Sequence, residues 1–173
     1  MTPQRYKEHT PLVHSLAYVH PSVVLIGEVE LGEETSIWPM SVLRGDNGAI
    51  RIGARTNIQD GSIGHATLGV SKTTIGLECT VGHRVTLHGC TVGNHCLVGM
   101  GSTLLDGVVV GDDCFIAAGS LLTPNKIFEP RSFVMGSPAR RVREVKASEL
   151  EAIAHGWKTY VELARTYRGG PTT

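Results

Sequence analysis

From residue 75 onward the chain repeats an aliphatic residue on a six-residue beat. Ile75, Val81, Leu87, Val92, Val98, Leu104, Val110, Ile116 and Leu122 follow one another at intervals of six, with one step of five, and Gly often comes next. Four positions after most of these aliphatics stands a small or β-branched residue: Cys79, Val85, Cys96, Ser102, Val108, Cys114 and Ser120. A period of six matches neither the 3.6-residue face of a helix nor the two-residue alternation of a strand. It fits a coil in which each unit is a short strand plus a turn. Three units close a triangle, and successive coils stack at the inter-strand spacing of about 4.8 Å. The aliphatics are then expected inside the prism, with the glycines at its corners. Ile26, Leu31, Ile37, Leu43, Ile52, Ile58 and Ile63 continue the beat upstream. Residues 45–49 (GDNGA) and 66–73 (ATLGVSKT) break it and read as excursions from the coil, where a solenoid tends to carry function.

The beat stops near Thr123-Pro124, and a connector containing Gly136-Ser137-Pro138 follows. Ser148 and Glu151 then have the spacing of a capping box. Leu150, Ile153, Ala154, Trp157, Tyr160, Val161, Ala164 and Tyr167 mark one apolar stripe, ended by Gly169-Gly170-Pro171. The expected fold class is all-β: a left-handed parallel β-helix, a triangular solenoid of hexapeptide repeats, with a C-terminal α-helix. A single domain spans 1–173, divided into the solenoid (12–124), the connector (125–147) and the helix (148–168). That helix is expected to pack along the coil or on a neighbour.

Composition agrees with a repeat. Gly numbers 21 of 173 residues while aromatics are 5%, so the core must be built from small aliphatic units. Lys+Arg and Asp+Glu both count 16, and this neutrality argues against a nucleic-acid partner. The start, MTPQRYKEHTPLV, has no apolar stretch of signal-peptide length, and no window approaches 18 apolar residues. A soluble, cytoplasmic protein without membrane contact is expected.

Cys79, Cys96 and Cys114 occupy the small slot of the repeat, Cys90 an equivalent one, and there is no CxxC, so all four read as buried core residues. Of the eight histidines, His9, His14 and His20 lie in a polar N-terminal segment, His155 in the helix, and His95 at a turn. His65, His83 and His88 cluster around the 66–73 excursion. His83 and His88 are separated by five extended residues, about 16 Å. One metal with Zn–N bonds of about 2.0–2.1 Å cannot hold both from a single chain. If five or six residues of 66–73 loop out, His65 and His88 lie one coil apart and stack roughly 5 Å from each other. His83 then projects from another corner. A threefold assembly would bring His83 of one copy to the His65/His88 pair of the next, a three-histidine site with a fourth position open. The competing reading is three unrelated polar corner residues.

These residues carry a resemblance. Arg44-Gly-Asp46, Ile50-Arg-Ile-Gly53, Asn57-Ile-Gln59-Asp60 with His65 five residues on, Gly82-His83, Leu87-His88-Gly89-Cys90, Val98-Gly-Met100-Gly101 and Gly136-Ser-Pro138-Ala139 resemble the gamma-class carbonic anhydrase-like family of hexapeptide-repeat proteins. The likeness runs from about residue 12 to 168. It implies a homotrimer with zinc between subunits, held by His65, His83 and His88, and reversible hydration of CO2 to bicarbonate. Arg44, Asp46 and Asp60 would form the ion-pair set tying subunits together. Gln59, supported by Asn57, would orient the water on the metal, and Tyr160 would reach toward it, with Tyr167 a near rival. Fe2+ or Co2+ would accept the same ligands.

The sequence departs from the best-characterised members at two points. Asn47 follows Asp46 where they carry Glu, and 66–73 holds no acidic residue, so the proton-shuttling Glu is missing. Two other functions compete. A hexapeptide-repeat acyltransferase or thioesterase acting on CoA thioesters would share the repeat and use Arg140, Arg141 and Arg143 on phosphates, but needs one histidine as base rather than three. A non-catalytic trimer would keep zinc for stability alone.

Overall fold

The computed structural model describes residues 3–169. Short parallel strands stack in three faces of a prism. Stacked partners are 18 residues apart in the regular coils, as for Val24–Val42 and Thr103–Leu121, and 17 apart across the five-residue step, as for Thr86–Thr103. The spacing widens to 21 for Val42–Ile63 and 23 for Ile63–Thr86. Three surplus residues are thus absorbed at 45–49 and five at 66–73. The second is a true loop between strands Ile63–His65 and Thr73–Ile75. The first is not: residues 45–49 lie within the continuous strand Val42–Ile52, as a bulge where Gly27 faces Gly45 and Val29 faces Ile50. Extended backbone persists there because the neighbouring strand Val24–Leu31 pairs on both sides of the bulge.

Ile75 through Leu122 on the beat are all buried, as are the four free cysteines and the other small-slot residues. Two upstream positions are shifted by one. Leu25 rather than Ile26 fills the core, and Gly64 rather than Ile63 points inward, leaving Ile63 47% exposed. Counting sixes from Ile58 lands on Gly64, and Leu43 of the stacked coil occupies the space a side chain there would need.

Gly61, Gly101 and Gly119 do turn corners with left-handed backbone, but the glycines that follow the aliphatics from Ile75 onward do not. At one edge the left-handed turn residues are Glu34, Arg55, Glu78, His95, Asp113 and Arg131. Gly76 instead lets two coils approach: a Cβ there would lie 2.6 Å from the Gly93 carbonyl carbon.

The solenoid also runs past residue 124. Ile127–Phe128 stacks on Val109–Val110, and Ser132–Gly136 stacks on Phe115–Ile116 before turning back antiparallel as Ala139–Glu144. The expected connector is therefore a further coil closed by a hairpin, and Phe128 and Val134 keep the beat of six from Leu122.

The α-helix spans Ala147–Tyr167 and touches strands Tyr18–Val19, Ser36–Ile37, Asn57–Ile58 and Thr80–Val81 of its own coil. Ile153, Val161 and Ala164 are buried beneath it, and Tyr160 packs edge-on against Trp38 at 5.3 Å. Its cap is two residues earlier than expected: Lys146 is the N-cap, and the Glu149 carboxylate accepts the Lys146 N–H at 2.8 Å. Arg143 grips that carboxylate with two nitrogens, a partner unavailable to Glu151. Gly170 and Pro171 of the expected stop lie outside the described residues. No helix among the described residues is long and apolar enough to cross a membrane.

Candidate metal centre

His65 ends the strand Ile63–His65, and His88 ends the strand above it, Thr86–His88, paired residue for residue. The five-residue insertion puts them in register, and their rings lie 5.3 Å apart. His65 Nδ1 faces His88 Nε2 at 3.3 Å. The outer nitrogens are each taken by a carboxylate: His65 Nε2 lies 3.1 Å from Asp46, and His88 Nδ1 3.2 Å from Asp106. An ionised carboxylate only accepts, so each outer nitrogen carries the hydrogen and each inner nitrogen presents a lone pair. Two lone pairs facing at this distance repel unless a proton or a metal lies between them. Two nitrogens at about 2.0–2.1 Å from a common tetrahedral ion stand about 3.3 Å apart, so the pair fits two of four ligands.

Both carboxylates are held in the ionised form. Burial raises the Asp46 pKa, but hydrogen bonds from Arg44 and His65 outweigh it and leave the group below its usual range. Burial likewise opposes Asp106, and hydrogen bonds from Ser71 and Thr67, with His88 beside them, bring it down. Asp106, Thr67 and Ser71 were not anticipated from the sequence. Asp106 stands 18 residues after His88, one coil on, and that offset was the available signal.

His83 lies at the neighbouring edge. Its Nδ1 is 2.9 Å from Asp60, and both side chains are nearly half exposed. Asp60, His83, Arg84, Met100 and Gly101 line a shallow hollow there. Gln59, beneath the helix, donates from Nε2 to Asn57 Oδ1 at 3.1 Å, while Asn57 donates to the Cys79 carbonyl and to Thr80. Tyr160 is near enough to Asp60 for that charge, after burial, to raise its hydroxyl pKa. Tyr167 is 61% exposed and packs tilted against Tyr18 and edge-on against Trp38 instead.

The anticipated residues therefore form two groups in one chain. Arg44, Asp46, His65 and His88 share one edge; Asn57, Gln59, Asp60, His83 and Tyr160 gather around the next. Arg44 pairs with Asp46, whereas Asp60 pairs with His83, so the expected three-residue ion-pair set is not formed within one chain. No group of three histidine, cysteine or carboxylate side chains converges as a metal site among the described residues. Burial pushes the Cys90 thiol, next but one to His88, up to about 12.

The face between the two edges is uncharged along a full row. Val24, Val42, Ile63, Thr86, Thr103 and Leu121 align in register with their side chains outside the core.

Comparison with known proteins agrees with this architecture. The sequence model of the family described as bacterial transferase hexapeptide (six repeats) matches residues 89–124. Protein YrdA of Escherichia coli K12 is 46% identical over 168 residues, covering 94% of this chain and 91% of that protein. Carnitine operon protein CaiE of Escherichia coli O7:K1 is 42% identical over 153 residues, covering 88% of this chain and 78% of that protein. Among solved structures, a Bacillus cereus protein named as an acetyltransferase superposes with a TM-score of 0.95 at 36% identity, covering 97% of each chain. With the repeat, the solenoid and these relatives in agreement, the chain belongs to the hexapeptide-repeat family of β-helix proteins that includes YrdA and CaiE.

Proposed function

We propose that this protein is a homotrimer with a zinc site at each subunit interface and that it hydrates CO2 reversibly to bicarbonate. The observation that carries this reading is the His65–His88 pair, its inner nitrogens 3.3 Å apart and its outer nitrogens each on a carboxylate. These two would hold the ion together with His83 of a second copy, whose Nδ1 is already committed to Asp60 so that Nε2 is the free donor. The uncharged face between the two edges supports the assembly. When bound, zinc supplies the Lewis acidity that lowers the pKa of water to about 7, as is established for carbonic anhydrases. Asp46 and Asp106 orient the ligand rings, the arrangement that second-shell carboxylates give to metal-bound histidines. Gln59 gives its Nε2 hydrogen to Asn57 and keeps Oε1 as an acceptor for water. With no carboxylate on the 66–73 loop, the proton leaves to buffer.

A second reading, acyl transfer on a CoA thioester, is favoured by the transferase name of the family and of the Bacillus cereus structure. It needs one histidine with a free lone pair near a thioester and gives the second ring no role.

Stopped-flow CO2 hydration on metal-quantified protein separates the two, with His88→Ala as control. Activity that follows zinc content, vanishes in the variant and rises with buffer concentration is the expected result. A fully zinc-loaded trimer without activity sinks the anhydrase reading and moves the search to thioesters, or to zinc kept for assembly alone.

A further inference from the structure

We infer that Asp106 is the positioning residue that fixes the His88 ring, and that the 66–73 insertion serves to hold Asp106. This rests on the reading of His65 and His88 as metal ligands.

The insertion has a defined chemistry on the coil side. Thr67 Oγ1 donates to Asp106 Oδ2 at 2.9 Å, and Ser71 Oγ donates to Oδ1. Ser71 Oγ also accepts the Thr67 N–H at 3.0 Å, closing the loop on itself. Asp106 Oδ2 then accepts from His88 Nδ1. Both carboxylate oxygens are thereby engaged, and the carboxylate cannot rotate away from the imidazole without breaking a bond from the loop. Gly89, in the left-handed region at φ +65, makes the room: a Cβ there would collide with Asp106 Oδ1 and Ser71 Oγ. At the tip, by contrast, Leu68 and Val70 are exposed and a Cβ at Gly69 would meet nothing within 4 Å. The five extra residues thus place two hydroxyls on one carboxylate, and that carboxylate sets which nitrogen of His88 carries its hydrogen. Asp46, which performs this service for His65, needs no loop because Arg44 on its own strand steadies it.

The deciding experiment is the 15N spectrum of the histidine rings in the metal-free full-length protein. In the wild type His88 is expected as the Nδ1–H form. Asp106→Asn can turn its amide nitrogen to the ring, so it is expected to move His88 toward the Nε2–H form, which then donates to His65 Nδ1, while His65 keeps its own hydrogen on Nε2 beside Asp46. Thr67→Val combined with Ser71→Ala should move His88 the same way by less, and Leu68→Ser should leave it unchanged. Zinc affinity by chelator competition is expected to fall about 10- to 100-fold in Asp106→Asn. An unchanged His88 tautomer in a variant whose His65 signals show it folded overturns the proposal, as does unaltered zinc affinity. A wild type that binds no zinc but shows the tautomer shift overturns the metal reading and leaves the positioning role standing.

Discussion

Gly76 and Gly69 carry the same side chain under opposite constraints. A Cβ at Gly76 meets the next coil's backbone, while a Cβ at Gly69 meets nothing but must adopt φ +69. Overpacking a close-stacked interior costs roughly 1–3 kcal/mol, and left-handed backbone costs an ordinary residue about 1 kcal/mol. Gly76→Ala is therefore expected to lower the urea midpoint more than Gly69→Ala, and equal midpoints would contradict the stacking role. The beat of six located the core from the sequence because each inward position has one environment. It did not say what the intervening glycines do, since a corner and a close approach both call for the absence of Cβ. The His65–His88 stack was legible for a similar reason: removing five residues from a 23-residue separation leaves one coil. Asp106 was not, because a lone Asp at a corner looks like any solvated turn residue until its partners are placed.

At the scale of elements, the C-terminal helix is fastened at its first turn by an ionic clasp beside an aromatic stack, and near its end by Arg165 paired with Glu34. Arg143 lies over the Phe133 ring at 3.9 Å, Phe133 stacks on Phe115, and Arg143 grips Glu149 at the first turn. Hydrogen bonds from Arg143 lead the forces that hold the Glu149 pKa down at about 2, against 4.5 for the free group. A carboxylate depressed on folding stabilises the folded form above its unfolded pKa. That contribution is lost as pH falls through the folded one. Helix docking is thus expected to weaken between pH 4.5 and about 2, read by the fluorescence of Trp38 beneath the helix. Glu149→Gln should remove most of the pH dependence in that window, and a variant that keeps it would place the titration elsewhere. The sequence placed this helix within one residue at each end, since eight apolar positions on one stripe leave little freedom. It missed the cap because Lys146 lies outside the usual N-cap residues, and the partner that selects Glu149 comes from a hairpin not visible in the repeat.

Across the whole molecule, the two groups of site residues occupy adjacent edges of one prism, and the face between them has no charge along the row from Val24 to Leu121. Charge is not scarce elsewhere: Arg51 bridges Glu28 and Glu30 on the next face, and Glu78, His95 and Asp113 line the third edge. The row Tyr18, Ser36, Asn57, Thr80, Leu97, Phe115 and Phe133 on the third face is uncharged too, but the C-terminal helix lies against its first four strands. The row between the two histidine groups is therefore the one open to a threefold assembly of the proposed kind. Ile63 is the sharpest probe, being 47% exposed, two residues before His65 and outside the core, so its replacement does not disturb the stacked interior. In the proposed trimer, Ile63→Asp would set a buried, unpaired carboxylate at each interface, a change that costs several kcal/mol in comparable settings. On the proposed reading it is expected to give a folded monomer by sedimentation and circular dichroism that has lost tight zinc, since within one chain only His65 and His88 converge while His83 lies at another edge. A variant that stays trimeric, or a monomer that retains one tight zinc per chain, would mean that the site is completed by residues other than the second copy's His83.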